Sequence, residues 1–380
     1  MAVNSLTQAD LRALTDARPE RGRVLSVFLN LDPTEFASAP ARATAINSVL
    51  NEAEHAIGEV DGLEHDELLS LREDLERIRG ELNRDGLAAD GTRGVAIYAC
   101  GLAGLFEVLQ LPQPVQTQAV IERTPFVRPL LQSGHGKRWG VLLVNRRSAR
   151  LFRGGASGLQ ETDRIEDDVH RQHMQGGWSQ ARYQRSVDKE AEDHLKHVAD
   201  VIFDTHKHQP FDALLVGAPE ETVSDMEAVL HPYLRERIKG HVQLDVEHSS
   251  PEDVQRVAGA AIERHQEAYE QELLSRLDEN LGRNLRAASG FDDVLAALNQ
   301  ARVEILVVSD GLQEPGSRDP LTGMLGRENS GFASGAAGEP VDNLVEAAIE
   351  KTIEQSAEIL VVRDPETLVE HGGIAALLRF

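Results

Sequence analysis

Apolar residues recur along this chain in two rhythms, helical spacing and short continuous runs, and their alternation predicts an α/β protein. Thr7-x-x-Asp10 ahead of Leu11 and Leu14 is a capping-box pattern that opens a helix. The run Val24 to Leu31, closed by Asp32-Pro33, predicts a strand. Ile46, Val49, Leu50, Ala53 and Ile57 then return at helical spacing, and Leu69, Leu71, Leu75, Ile78 and Leu82 mark a second, charge-rich helix over 63–82. Asp85-Gly86 and Asp90-Gly91 punctuate the connection to strands at 94–98, 104–110 and 114–121.

A polar stretch, Gln132 to Gly136, separates this segment from the next. Trp139 to Asn145 and Ser148 to Arg153 read as a hairpin whose turn carries Arg146 and Arg147, with a third strand at 158–161. A helix follows from about Val187 to His206, its apolar face made of Leu195, Val198, Ile202 and Phe203. After it come a buried strand at 211–217, another helix and a strand at 242–246. A long helix starts near Pro251 and passes Leu277. Beyond it, a helix at 290–301, a strand at 303–308, a helix at 341–355 and a strand at 357–362 predict a compact α/β/α sandwich. Gly311 to Pro340, rich in Gly, Ser, Asp and Glu, reads as a mobile insertion between its halves. Three domains are therefore expected, at 1–132, 133–275 and 276–380, a number in keeping with a chain of 380 residues.

Composition narrows the chemistry. No apolar run approaches a membrane span and the start lacks a basic region followed by an apolar stretch, so a cytoplasmic protein is expected. The single cysteine, Cys100, sits in an apolar run, which leaves no intramolecular disulfide or cysteine-rich zinc site and predicts a small buried side chain. A net charge of −24 argues against a polyanionic partner until its distribution is read. From Arg123 to Arg153 the charged residues are Arg123, Arg128, Lys137, Arg138, Arg146, Arg147, Arg150 and Arg153, with no acid among them. Such an interval either presents a local positive face to RNA or pairs with carboxylates from elsewhere, and taken alone it favours neither.

The densest chemistry lies in Gly176-Gly177-Trp178-Ser179-Gln180-Ala181-Arg182-Tyr183-Gln184-Arg185. Two glycines allow close backbone approach, Trp178 and Tyr183 offer stacking faces, and Arg182 and Arg185 offer phosphate forks. By composition alone a surface loop with Trp178 folded back onto its domain is the plainer reading. The decapeptide, however, resembles the Gly-Gly-Gln-Ser-x-x-Arg-Phe-x-Arg loop of archaeal and eukaryotic class-one release factors: Gly176, Gly177, Ser179, Arg182 and Arg185 match, and Tyr183 replaces an aromatic. The glutamine with which those factors help water attack the peptidyl-tRNA ester falls where this chain has Trp178, and Gln180 lies two residues on. The terminal stretch His371-Gly372-Gly373-Ile374-Ala375-Ala376-Leu377-Leu378-Arg379-Phe380 is similar to Pelota's Gly-Gly-Ile-x-Ala-x-Leu-Arg-Phe ending.

Together these motifs resemble a bacterial branch of the release factor 1/Pelota superfamily, most like Balon-type and actinobacterial ribosome hibernation factors. The resemblance implies a three-domain architecture with a mixed-sheet central domain, a projecting Gly-Gly loop and a C-terminal α/β/α sandwich. It implies as partner the 70S ribosome, at the A site and its 23S and 16S rRNA, rather than DNA or a membrane. The first domain would face the decoding centre and the central domain the peptidyl transferase centre, with elongation factor Tu a plausible delivery partner on the third. No counterpart of the stop-codon-reading Asn-Ile-Lys-Ser loop is found: Ala43-Thr44-Ala45-Ile46-Asn47-Ser48 lacks its lysine.

Two mechanisms then compete. As a plug, Trp178 stacks on an rRNA base, Arg182 and Arg185 contact phosphates, and Arg146, Arg147 and Arg150 track the backbone. As a peptidyl-tRNA hydrolase, Gln180 orients water, aided by the backbone N–H groups of Gly176 and Gly177. The two-residue displacement favours the plug, because catalytic positioning tolerates roughly 1 Å. No cofactor is expected. Glu190, His194 and His197 share a helical face at spacings compatible with a metal, though a solvated face is the favoured reading. Asp163, Glu166, Asp167, Asp168, His170 and His173 precede the glycine loop and would close it if they paired with Arg182 and Arg185, though a charge run is more often simply solvated. No phosphate loop or nucleophile elbow appears, so nucleotide hydrolysis is not expected.

Overall fold

The computed structural model describes residues 8–380 except 20, 34, 37, 61, 85–91, 112, 133–136, 157, 168–179, 284, 329 and 363. It divides into two compact units, one made of residues 1–135 with 268–380 and the other of residues 136–267. The first segment holds α1 (Gln8–Asp16), β1 (Val24–Asn30), α2 (Ala39–Glu59), α3 (His65–Leu82), β2 (Gly94–Cys100), β3 (Leu105–Leu111), β4 (Gln118–Glu122) and α4 (Arg128–Gln132). Its antiparallel sheet has the order β3-β2-β1-β4. Strand β1 reads as a continuous apolar run because both of its faces are covered. Leu25, Val27 and Leu29 pack against Ile46, Val49 and Leu50 of α2 and Leu71, Leu75 and Ile78 of α3. Val24 and Phe28 face the opposite way, with Tyr98 and the buried Cys100. The stretch compared with the decoding loop lies inside α2, with Ile46 buried.

The second unit contains β5 (Trp139–Val144), β6 (Ser148–Gly155), β7 (Gly158–Glu166), α5 (Gln180–His208), β8 (Ala213–Gly217), α6 (Glu220–Val229), α7 (Pro232–Arg235), β9 (Ile238–His241) and the first half of α8 (Pro251–Gly282). The sheet is mixed, in the order β7-β6-β5-β8-β9, with β5, β8 and β9 parallel and β5, β6 and β7 antiparallel. One face packs on Leu195, Val198 and Ile202 of α5, and the other on Val254, Ala258 and Ile262 of α8. The strand expected at 242–246 is displaced: β9 ends at His241, and Val242 and Val246 are buried from irregular backbone. Buried valines alone do not specify extended pairing.

The third segment adds the end of α8, β10 (Ala287–Ser289), α9 (Phe291–Asn299), β11 (Val303–Ser309), β12 (Gly316–Arg318), β13 (Leu325–Arg327), β14 (Glu339–Val341), α10 (Leu344–Glu354), β15 (Glu358–Val362) and β16 (Ile374–Leu378). The main sheet, β10-β16-β11-β15, is sandwiched: Ile305 and Val307 face Leu273 and Leu277 of α8, while Leu306 and Val308 face α9 and α10. The Pelota-like ending is therefore a central strand. Gly372 and Gly373 turn into it at φ of 65° and 78°, and a Cβ on Gly373 would meet Leu312 at 2.9 Å.

The stretch read as a mobile insertion is ordered instead, forming the antiparallel sheet β13-β12-β14. Asn299 fastens it to α9, its side chain bonding both the N–H and the C=O of Leu325. Asp319 closes a turn by accepting from Thr322 Oγ1 at 2.6 Å. Polar hydrogen bonding holds this segment where apolar content is low.

First and third segments share one core, in which Val24, Phe28 and Tyr98 cluster with Leu306, Leu344 and Ile349. Charged pairs cross the same boundary. Arg128 donates to Glu346 at 2.6 Å with both side chains nearly inaccessible, Arg18 reaches Glu350 at 3.2 Å and Glu354 at 2.5 Å, and Arg23 pairs with Asp342. Burial, reinforced by Glu346, pushes the carboxyl of Glu122 up to about 8. Burial likewise raises Glu346 to about 7 against the opposing pull of Arg128.

Candidate functional site

The β5–β6 turn is built around Asn145, whose side-chain oxygen accepts from Arg147 N and Ser148 N, both at 2.8 Å. This rigid turn presents Arg146 and Arg147 as expected, but each meets a carboxylate: Arg146 lies 3.6 Å from Asp188 and Arg147 lies 3.3 Å from Glu247. Arg150, expected to track RNA, is buried. Its guanidinium bonds Glu161 at 2.5 Å, Ser249 O at 2.7 Å and Val246 O at 3.3 Å. Every donor direction it uses is spent inside the fold, so it ties β6 to β7 and to the segment before α8 rather than facing solvent. The neighbouring arginines follow the same rule: Arg128 pairs with Glu346 and Arg138 with Asp212. Carboxylates from elsewhere in an acidic chain thus match much of the basic interval.

Gly176, Gly177, Trp178 and Ser179 lie outside the described residues, as do Asp168, His170 and His173. Gln180 opens α5, and Arg182, Tyr183 and Arg185 occupy its first turns. The helix begins earlier than the apolar periodicity indicated, because its first turns are polar. Before the loop, the chain is fixed at Asp167. Asp167 N donates to Arg147 O at 3.0 Å, and the carboxylate accepts from His194 Nδ1 at 2.6 Å and His197 Nδ1 at 3.0 Å. Burial pushes the Asp167 carboxyl up, but the two imidazole hydrogen bonds outweigh it and hold the group below the usual carboxylate range.

The two histidines singled out as possible metal ligands are therefore clamps on the strand that leads into the glycine loop. Among the described residues no group of three histidine, cysteine or acidic side chains is placed to hold a metal ion. A shallow pocket lined by Thr162, Asp163, Asp204, Thr205, His208 and Gln209 lies against α5. Its two carboxylates make it a poor phosphate site. Among the described residues no helix is long and apolar enough to cross a membrane.

Sequence reasoning passed over a second group in this unit. His231 caps α7, accepting from Tyr233 N, and Pro232 and the fully buried Leu234 fix the turn. The His231 ring stacks on Phe203 at 3.9 Å and 13°, and Tyr233 stacks on His231 at 5.2 Å and 22°. The signal was local, an aromatic in His231-Pro232-Tyr233-Leu234-Arg235-Glu236-Arg237, but only the fold brings Phe203 beneath it.

Residues 125–266 match the family description of bacterial archaeo-eukaryotic release factor family 10. The chain is 22% identical over 307 residues to peptide chain release factor subunit 1 of Thermoplasma acidophilum, covering 72% of each. Among solved structures, Archaeoglobus fulgidus Pelota is 16% identical, with 98% of this chain and 92% of that chain covered and a TM-score of 0.32. A ribosome-bound archaeal Pelota, in a structure that also holds ABCE1, is likewise 16% identical, covering 100% and 95%, with a TM-score of 0.42.

Proposed function

We infer that this chain, which belongs to a bacterial branch of the archaeal and eukaryotic release factor 1/Pelota superfamily, acts on the ribosome, and within that class as a hibernation factor. It occupies the A site of an idle 70S particle as a tRNA-shaped plug. The first domain (1–132) faces the 16S rRNA of the decoding centre and the central domain (133–275) faces the 23S rRNA of the peptidyl transferase centre. The third (276–380) is the docking side for a translational GTPase such as elongation factor Tu. The observation that carries this reading is the substitution in the loop: its frame, Gly176, Gly177, Arg182 and Arg185, is kept, while the position of the catalytic glutamine is Trp178. A tryptophan supplies stacking and one N–H donor but no acceptor oxygen with which to orient an attacking water. Gln180 starts a helix two residues on, a position that supports occupancy over catalysis. Arg146 and Arg147 remain the partly exposed backbone contacts of the hairpin, and Arg150 serves to hold that hairpin in shape.

The reading is tested with purified protein and ribosomes carrying peptidyl-tRNA, measuring co-sedimentation and ester cleavage together. Binding without cleavage is expected, with Trp178→Ala weakening binding by about tenfold, the order of one lost base stack. Cleavage abolished by Gln180→Ala but not by Trp178→Ala would sink the hibernation reading in favour of peptidyl-tRNA hydrolysis.

A further inference from the structure

At the end of the central unit where α5 meets α7, aromatic stacking and unmatched positive charge coincide. Tyr233 is 61% exposed although its ring stacks on His231, which in turn stacks on Phe203 at the edge of the core. The platform is thus held rigidly from below and open to solvent. Lys207 sits 4.4 Å over the Phe203 ring, at the cationic last turn of α5.

Three arginines at this end of the unit, Arg235 and Arg237 next to the ring in sequence and Arg153 reaching the end of α5 from β6, differ from those around the hairpin turn. Arg235 donates to the carbonyls of Ala228 and Leu230 at 3.0 and 3.3 Å, Arg237 donates to Tyr233 O at 2.6 Å, and Arg153 donates to the Gln209 side chain. Among the described residues none of the three has a carboxylate within ion-pair distance. Neutral acceptors orient a guanidinium without cancelling its charge, although Nε of Arg153 and of Arg237 is buried. The nearby acids Asp204 and Asp212 are engaged by Lys207 and Arg138. Glu236, exposed between Arg235 and Arg237 in sequence, and Asp163, which acts on Arg153, oppose this charge without an ion pair to any of the three. His206 is held below the ordinary imidazole range first by burial and then by Arg237, with Arg138 and Arg153 adding to the effect against Asp212.

We propose that Tyr233, backed by His231 and Phe203, is a stacking platform for one unpaired RNA nucleotide whose flanking phosphates lie on Arg235 and Arg237, with Arg153 adding positive charge from the end of α5. An aromatic face accepts any base, and forked cations fit the oxygens of a phosphate two at a time. In a chain of net charge −24 a patch of unmatched arginines beside an exposed ring selects a polyanion with π faces. The site stands on its own geometry. That the RNA is ribosomal rests on the function proposed above.

The test uses the full chain in two arms, isolated ribosomes and a fluorescent unstructured oligoadenylate of about a dozen nucleotides, a length covering a typical single-strand site. Wild type is expected to bind both. Tyr233→Ala weakens binding in both arms by about tenfold, Tyr233→Phe restores it, and thermal midpoints stay equal because Tyr233 is a surface residue. Ultraviolet cross-linking then places the RNA on the peptide containing Tyr233. Oligoadenylate binding that depends on Tyr233, without ribosome binding, keeps the platform and overturns the ribosomal reading. Tyr233→Ala binding oligoadenylate as wild type does, or losing only the capture of a protein, overturns the platform.

Discussion

Two sets of arginines in the central unit face opposite fates. On the β5–β6 hairpin, Arg146, Arg147 and Arg150 each meet a carboxylate, and Arg150 is buried against a partly exposed partner. At the α5–α7 end, Arg153, Arg235 and Arg237 are held by carbonyl or amide oxygens. The first set is conspicuous in sequence because three arginines crowd within five residues, yet its charge is largely spent on the fold. The second is scattered, and its charge survives. Density of basic residues in a sequence is therefore a poor guide to positive potential; what decides is which acceptor each guanidinium meets.

Removing a matched arginine should cost most. Arg128→Met leaves Glu346 buried without its partner and should destabilise the first unit by about 3–5 kcal/mol, seen as a lower denaturation midpoint. Arg128→Met with Glu346→Leu should recover much of the loss, since two apolar side chains need no compensation; a double variant as unstable as the single one would mean that the pair is not what Arg128 supplies. Arg150→Met should follow at about 2–3 kcal/mol, somewhat less because Glu161 retains solvent and a second partner in Arg164. If ribosome binding by Arg150→Met falls in proportion to its unfolded fraction, the residue is structural. A loss of affinity at full stability would return it to the RNA face.

This contrast also explains how much was legible beforehand. Strands such as β1 and β11 and helices such as α2 and α10 announced themselves because burial imposes a period on their side chains. The insertion at 311–340 carries no such period; its order comes from short hydrogen bonds of Asn299, Asp319 and Ser317 to backbone and hydroxyl groups, a pattern that composition reads as looseness. The glycine loop was found by motif, whereas its anchor was not. Asp167 belongs to an acidic run that reads as solvated more readily than as paired with the loop, and in the fold its carboxylate meets His194 and His197, several turns into α5. The Tyr233 platform depends on Phe203, which lay unread in a predicted apolar face.

Titration separates matched from unmatched charge at smaller scale. Glu122 and Glu346 have folded-state values of about 8 and about 7, against an ordinary 4.5, so the folded chain holds more protons than the unfolded one between these limits. A raised carboxyl favours folding while protonated; that contribution is full below about pH 4.5 and is lost as pH rises through 7 and 8. Thermal stability measured from pH 5 to 8.5 should therefore decline from this source by at least about 1 kcal/mol, because even a tenfold difference in proton affinity between folded and unfolded chains is worth about 1.4 kcal/mol. Glu122→Gln should flatten the decline. A variant with the same slope as wild type would assign it elsewhere.

The smallest effect bears most directly on the comparison. Each cation that neutralises an RNA phosphate adds about 0.7 to the slope of log affinity against log salt for single strands. Arg235→Gln, which removes an unmatched charge, should lower the slope for oligoadenylate by about that amount. Arg147→Gln should change it by clearly less, because Glu247 already balances the guanidinium at 3.3 Å and the pair must open before a phosphate can replace it. Measuring both variants between 50 and 300 mM salt, about the range over which such slopes are resolved, keeps the comparison internal to one protein. Equal slopes would show that carboxylate pairing on the hairpin yields to RNA at no cost. In that case the arginine-dense turn would stand level with the α5–α7 end among the RNA contacts, and the distinction between matched and unmatched arginines would fall.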